Sequence, residues 1–202
     1  MANKSTATVA TSQQLSRPYF THKISLNSLH AQQVFERGFE ICSHGIYSLS
    51  IVLRVIGSDE RAREVEAIVD DRIDKMFDSI RLESERLGQL ADSNGIDFSG
   101  IAYSNPKSFE AKITSPRAVR YVALIREFDL LVSRFDVLWL SGSIPDGSYS
   151  RNLYEGKRKL LRLAGEMRNL AGRAIAAAKR EEKLAPEAIS SVPVSADVSE
   201  DL

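Results

Sequence analysis

Three histidines, His22, His30 and His44, lie within 23 residues of one another in a chain of 202, and imidazole nitrogens are frequent ligands of zinc and other transition metals. Their spacing matches no ligand signature. The segments they occupy (a strand, a helix start and a helix end) do not converge, so turn and surface roles are expected and a metal is not. Adjacent carboxylates such as Asp70 and Asp71 diverge on a helix and cannot share a proton or an ion, so a solvated face is expected there. The sequence holds no G-x-x-x-x-G-K-[ST], no G-x-G-x-x-G after a strand, no H-E-x-x-H and no G-x-S-x-G. No catalytic residue and no cofactor is nominated, and the chain is read as a non-enzyme.

A different chemistry sits in the stretch "THKISLN", Thr21 to Asn27. In an extended segment alternate side chains leave opposite faces. His22, Ile24 and Leu26 therefore line a mainly apolar side, while Thr21, Lys23 and Ser25 line a small, polar and basic one. A lysine ammonium donates to guanine O6 or N7, and hydroxyl and amide side chains bond to neighbouring base edges. Thr21, Lys23, Ser25 and Asn27 are the candidate base readers. A lone strand leaves its backbone donors and acceptors unpaired, and no second strong strand candidate lies nearby. A second copy of the chain is expected to supply the partner. The resulting antiparallel ribbon would carry six polar side chains on one face, a device that fits the major groove.

The elements that must hold this strand are helical. Asn27 or Ser28 caps a helix whose Val34, Phe35, Gly38, Phe39 and Cys42 form one stripe, and Ser43-His44-Gly45 is expected to end it. A second helix, Tyr47 to Ile56, is too apolar for a surface element and is expected at a dimer interface. Its N-terminus, with the free N–H groups of Tyr47, Ser48 and Leu49 and the Ser48 hydroxyl, is a candidate phosphate clamp together with Arg17.

Further on, Val65, Val69, Ile73, Met76, Ile80, Leu87 and Leu90 recur at three- and four-residue steps, predicting one long amphipathic helix from about Asp59 with Ser58 as its cap. Residues 92–115, broken by Asn94-Gly95, Gly100 and Asn105-Pro106, are expected to be loop with at most a short strand. Ser115-Pro116 restarts helix. The next helix, apolar on more than one face through Val122, Ile125, Phe128, Leu131, Phe135, Leu138 and Trp139, is expected to be buried and central. A last helix, about Arg151 to Lys183, has a stripe of leucine and small residues that permits close packing.

Composition sets the remaining bounds. With 43% hydrophobic and 27% charged residues the chain can bury one or two cores. No apolar run approaches a membrane span of about 20 residues, and the start lacks a secretory signal, so a cytoplasmic protein without membrane contact is expected. One cysteine excludes an internal disulfide, and Cys42 is assigned to the core. The net charge is zero but uneven. Residues 1–35 hold Lys4, Arg17 and Lys23 and no acid; residues 57–92 hold eleven acids against six bases; residues 146–183 hold ten bases against five acids. The last surplus makes Arg158, Arg162 and Arg173 candidates for a supplementary polyanion contact.

The expected organisation is mainly α: a disordered arm (1–18), a ribbon-helix-helix module (19–56) whose one strand pairs in a homodimer, a bundle of long helices (57–183, loop at 92–115) and a disordered acidic tail (184–202). Strand, helix, glycine turn and apolar helix in that order resemble a ribbon-helix-helix DNA-binding module. More closely, "ISLNSLHAQQVFERGFEICSHGIYSLSIVLRVI" with "ITSPRAVRYVALIREFDLLVSRFDVLWLSG" resembles the AcaB-like proteins of integrating conjugative elements and conjugative plasmids, over roughly Lys23 to Gly142.

That resemblance implies a bacterial regulator of mobile-element transfer genes, partnered by double-stranded DNA, by itself as a homodimer and by other regulators of the element. By motif position it implies groove-facing Thr21, Lys23 and Ser25 and a clamp at Tyr47 and Ser48. The alternative is a non-enzymatic helical scaffold or assembly protein of a conjugation system, whose ribbon only dimerises. Salt-dependent binding to duplex DNA separates the two.

Overall fold

Serines at two helix starts fix where the chain leaves extended structure. Ser28 has φ −83° and ψ 142°, and its hydroxyl accepts the Ala31 N–H at 3.2 Å. Ser115 does the same for the Ala118 N–H at 3.3 Å, just ahead of Pro116. Each satisfies one of the orphaned first-turn donors.

A computed structural model describes residues 18–52 and 59–190. The elements are strand β1 (Phe20–Leu26), helix α1 (Leu29–Tyr47) continued by a π-helical turn (Ser48–Val52), helix α2 (Asp59–Ser93), strand β2 (Lys107–Ile113), helix α3 (Pro116–Leu140) and helix α4 (Asp146–Ser190). Among the described residues no helix is long and apolar enough to cross a membrane. The chain is mainly helical, with one small antiparallel sheet.

That sheet corrects the expected homodimeric pairing. β1 pairs with β2 of the same chain, from Phe20 opposite Ile113 to Leu26 opposite Lys107. The region read as loop therefore holds a seven-residue strand, "KSFEAKI". Gly95 and Gly100, with φ of +64° and +85°, supply the left-handed turns that a side chain resists and help bring the chain back beside β1. Closing that loop within one chain costs entropy that grows only slowly with its length.

A second correction concerns Gly45, which does not end a helix. α1 runs through it to Tyr47, and the reason for glycine is contact: a Cβ there would stand 2.9 Å from the Arg168 backbone nitrogen and from the Met167 carbonyl carbon of α4. Gly38 is similar, since its Cβ would meet the Tyr121 hydroxyl at 2.8 Å. The two glycines let α1 lie against its neighbours at close range, with a Cβ at Gly38 falling 3.7 Å from that of Ala164, buried on α4. No helix restarts at Tyr47. The Ser48 N–H points back to the carbonyls of Gly45 and His44, and the chain continues as the π-helical turn. Residues 53–56 of the expected apolar helix, and the expected cap Ser58, lie outside the described residues.

One hydrophobic cluster draws on both strands, all four helices and the π-helical turn, so residues 19–52 share a core with the long helices. α3 is its axis: Tyr121, Leu124, Ile125, Phe128 and Leu138 are all buried. Trp139, expected among them, is 39% exposed. It sits in the last turn of α3, where its indole N–H donates to Asp146 at 2.6 Å and its ring stacks on Tyr149 with centroids 4.9 Å apart. Cys42 is in the core as expected, and burial pushes its thiol well above the ordinary value. α4 starts five residues before the expected Arg151 and continues to Ser190, so residues 184–190, expected as tail, prolong the helix.

Candidate nucleic-acid interface

Two strands with the same burial pattern make a ribbon with a dry side and a wet side. Ile24, Leu26, Ala111 and Ile113 are buried beneath it, and Phe109 packs its ring 4.7 Å from Phe35 of α1, which in turn stacks on Phe39 at 4.9 Å. The opposite face is exposed, and the register pairs its residues as Thr21 with Lys112, Lys23 with Glu110 and Ser25 with Ser108. Six polar side chains on one face is the number expected of the ribbon, but three come from β2 rather than from a second copy. Two lysines against one glutamate leave the face with one positive charge. The Lys112 ammonium also lies 5.4 Å from the centre of the exposed Tyr19 ring.

Two buried polar side chains hold the end of this ribbon. The Asp129 carboxylate, 5% exposed on α3, accepts the backbone N–H of Asn27 at 2.9 Å and of Ser28 at 2.8 Å. The Gln32 amide, 2% exposed on α1, donates to the carbonyls of Leu26, Asn27 and Asn105 at 3.1, 3.3 and 3.1 Å. One side chain thus ties the last residue of β1 to the turn before β2. Asn27 keeps an exposed side chain on a backbone gripped from both sides. At the other end the Ser43 and Thr114 hydroxyls meet at 3.3 Å. Neither Asp129 nor Gln32 was nominated from the sequence: both are polar residues at apolar-stripe positions, which is the signal that marks them.

The expected phosphate contacts fare differently. Arg17 lies outside the described residues. Ser48 is buried, its N–H is bonded within the helix, and its hydroxyl is 3.4 Å from His44 Nδ1. With no helix N-terminus at Tyr47 and Ser48, the geometry assumed for a clamp there is not formed. Arg158, Arg162 and Arg173 are exposed on α4. At about 100° per residue they fall in a stripe roughly 60° wide.

The histidines do not converge, and among the described residues no three His, Cys, Asp or Glu side chains are placed to hold a metal ion. Burial, with the nearby Lys157 charge, holds the His30 imidazole below its ordinary value against the opposing Asp136 carboxylate. Asp136 accepts the Tyr103 and Tyr149 hydroxyls at 2.5 and 2.6 Å, and burial together with those bonds pushes both phenols up.

Asp70, read as solvated surface, is instead the centre of a network between α2 and α3. It accepts Arg117 at 2.7 and 3.0 Å and Arg120 at 2.7 Å; Arg117 also reaches Glu66 at 3.5 Å, and Arg120 reaches Asp74. These guanidiniums spend their charge on the acidic helix rather than on an outside anion. Burial would raise the Asp70 carboxyl, but the hydrogen bonds and charges of Arg117 and Arg120 outweigh it and hold the group below its ordinary value of 3.8. A lowered folded-state value means stability that is fully present above the ordinary carboxylate value and lost as pH falls below it and through the lower folded value. Asp70→Asn should therefore cost up to about 1 kcal/mol at neutral pH after solvent screening, and the difference from wild type should shrink as pH falls below the ordinary carboxylate value and through the lower folded one. Urea melts across pH measure it; a difference that persists at the acid end would contradict the network's role.

No protein-family model matches the chain, and no curated protein matches it. The crystal structure of AcaB from uropathogenic E. coli does, with a TM-score of 0.78 and 32% sequence identity over 90% of this chain and 93% of that one. The chain belongs to the AcaB family. The likeness extends well past the Lys23 to Gly142 stretch that first suggested it, taking in most of the long helices. In this chain the ribbon and the α4 helix draw on one shared core.

Proposed function

We propose that this AcaB-family protein is a sequence-specific, double-stranded DNA-binding transcriptional regulator of conjugative or mobile-element genes, and that it reads DNA with the outer face of the β1–β2 ribbon. The observation that carries the reading is the exposed row of Thr21, Lys23, Ser25, Ser108, Glu110 and Lys112 on a two-stranded antiparallel ribbon whose other face is largely buried. A major groove about 12 Å wide admits a two-stranded ribbon, and side chains projecting from its outer face reach base edges. Asn27, just past the ribbon and held by Asp129 and Gln32, completes the base-reading set.

Because each chain builds its own ribbon, a homodimer is not needed to form the reading surface. Its role in this reading is to present two ribbons to two half-sites about one helical turn apart. Arg158, Arg162 and Arg173 supply phosphate contacts, since they carry charge with no acidic partner among the described residues. The protein acts in the cytoplasm, without cofactor or catalysis, alongside other regulators of the element.

Binding to duplex DNA from upstream of its own gene, measured across a salt series, tests this. Affinity should fall steeply with salt, and replacing Arg158, Arg162 and Arg173 with Gln should flatten the slope by about 0.9 for each phosphate that is no longer neutralised. An unchanged slope in the triple variant assigns that stripe to solvent alone. Absence of any salt-dependent binding in the parent leaves the scaffold reading in place.

A further inference from the structure

Glu110 is out of place on a surface meant for DNA. It is exposed at the middle of β2, on the same outer face as the lysines and directly opposite Lys23 in the register. Opposite positions on one face stand about 4.5–5.5 Å apart at Cβ, close enough to pair. Yet neither Lys23 nor Glu110 has a hydrogen-bond or ion-pair partner among the described residues. On the inner face the neighbouring lysine, Lys107, does take an acid, Glu36, at 3.5 Å. The ribbon thus presents one free ammonium and one free carboxylate side by side, pointing the same way.

A carboxylate facing phosphates weakens general attraction to a duplex, so it contributes nothing through charge. What it does well is accept a hydrogen bond from the exocyclic amino group of cytosine, N4, which lies in the major groove. An adenine amino group is a poorer match, because the adjacent N7 is itself an acceptor and opposes a carboxylate. Across the base pair from cytosine N4 lie guanine O6 and N7, the acceptors a lysine prefers. Resting on the DNA-reading proposal, we infer that Lys23 and Glu110 act as a couple that selects a C·G base pair, with Glu110 accepting from cytosine N4 and Lys23 donating to guanine. The Lys23 ammonium offsets the repulsion between the Glu110 carboxylate and the phosphates, which lets the carboxylate enter the groove.

Selection of binding sites from a randomised duplex pool tests the couple with wild type, Glu110→Gln, Glu110→Ala and Lys23→Ala. Wild type should recover a motif with a C·G pair at one position beneath the ribbon. Glutamine pairs with adenine N6 and N7, so Glu110→Gln should move that position toward A·T. Glu110→Ala should relax the position by about 5- to 150-fold in discrimination while raising affinity for random duplex at low salt. Lys23→Ala should relax the same base pair. If either Glu110→Ala or Lys23→Ala recovers the wild-type motif, or if the two relax different base pairs, the couple is overturned while sequence reading stands. If wild type recovers no motif at all, the DNA-reading proposal fails and takes the couple with it. Thermal melts should be unchanged in all three variants, because both side chains are exposed; a melt lowered by any of them would show that its residue supports the ribbon rather than reading bases, and would overturn its place in the couple.

Discussion

Asp129→Ala is expected to be among the most destabilising substitutions of a polar side chain in this protein. Removing the carboxylate orphans the N–H groups of Asn27 and Ser28, which it now accepts at 2.9 and 2.8 Å. The buried Ser28 N–H left without a partner costs about 1–3 kcal/mol and the part-buried Asn27 N–H less, so the loss should be about 1–4 kcal/mol in urea or thermal melts. Asp129→Asn is the informative companion. It keeps the shape and one acceptor oxygen, and should retain about half of the loss, since one N–H would then face an amide N–H₂. Because the two donors sit at the hinge between β1 and α1, DNA binding should fail before the fold does. Backbone amide exchange would detect this as faster exchange across residues 20–28 in Asp129→Asn. An Asp129→Ala protein as stable as the parent would mean that Gln32 alone fixes the ribbon.

Lys23→Ala combined with Lys112→Ala is expected to abolish site-specific binding while leaving the folded molecule intact. Both side chains are exposed on the outer face, away from Ile24 and Ala111. Each base contact is worth about 1–3 kcal/mol of discrimination, so removing two should reduce specific affinity by roughly 30-fold to 10⁴-fold. Binding to random duplex should fall far less, by the share of two phosphate-attracting charges, and that share shrinks further at high salt. The ratio of specific to random affinity is the decisive quantity. An equal fall for both duplexes would make these lysines phosphate contacts, and no fall for either would remove the ribbon from the interface. Ile24→Lys would not serve in their place, because it drives a charge into the core at a position only 3% exposed.

Much of this was legible from residue order because it depends on local chemistry. Alternation in "THKISLN" places Lys23 opposite in face to Ile24 whatever the strand pairs with, and the burial pattern of β1 agrees. Ser28 and Ser115 announce helix starts, and the three- and four-residue steps from Val65 to Leu90 announce α2, since capping and periodicity involve neighbours within a turn or two. "KSFEAKI" carries the same alternation as β1, but it is short, contains Lys and Glu, and follows a run of turn residues, so nothing local distinguishes it from loop. Its identity as a strand is decided by a partner more than 80 residues earlier in the chain. That pairing turned an intermolecular ribbon into an internal one.

Gly45 teaches the same lesson. A glycine after Ser43-His44 reads as a helix end because local conformation is the only use of glycine that sequence can display, whereas its use here is to admit the backbone of α4. Asp70 and Asp129 look alike in sequence, each an acid within a helical pattern. The first faces two arginines across a helix interface and the second faces two backbone N–H groups at the foot of the ribbon. Residue order alone settled which elements form and which way their side chains alternate, because those follow from neighbours along the chain. Which strand pairs with which, what each of these carboxylates holds, and which charges lack a partner among the described residues were settled only by tertiary structure, because they depend on residues brought together from far apart.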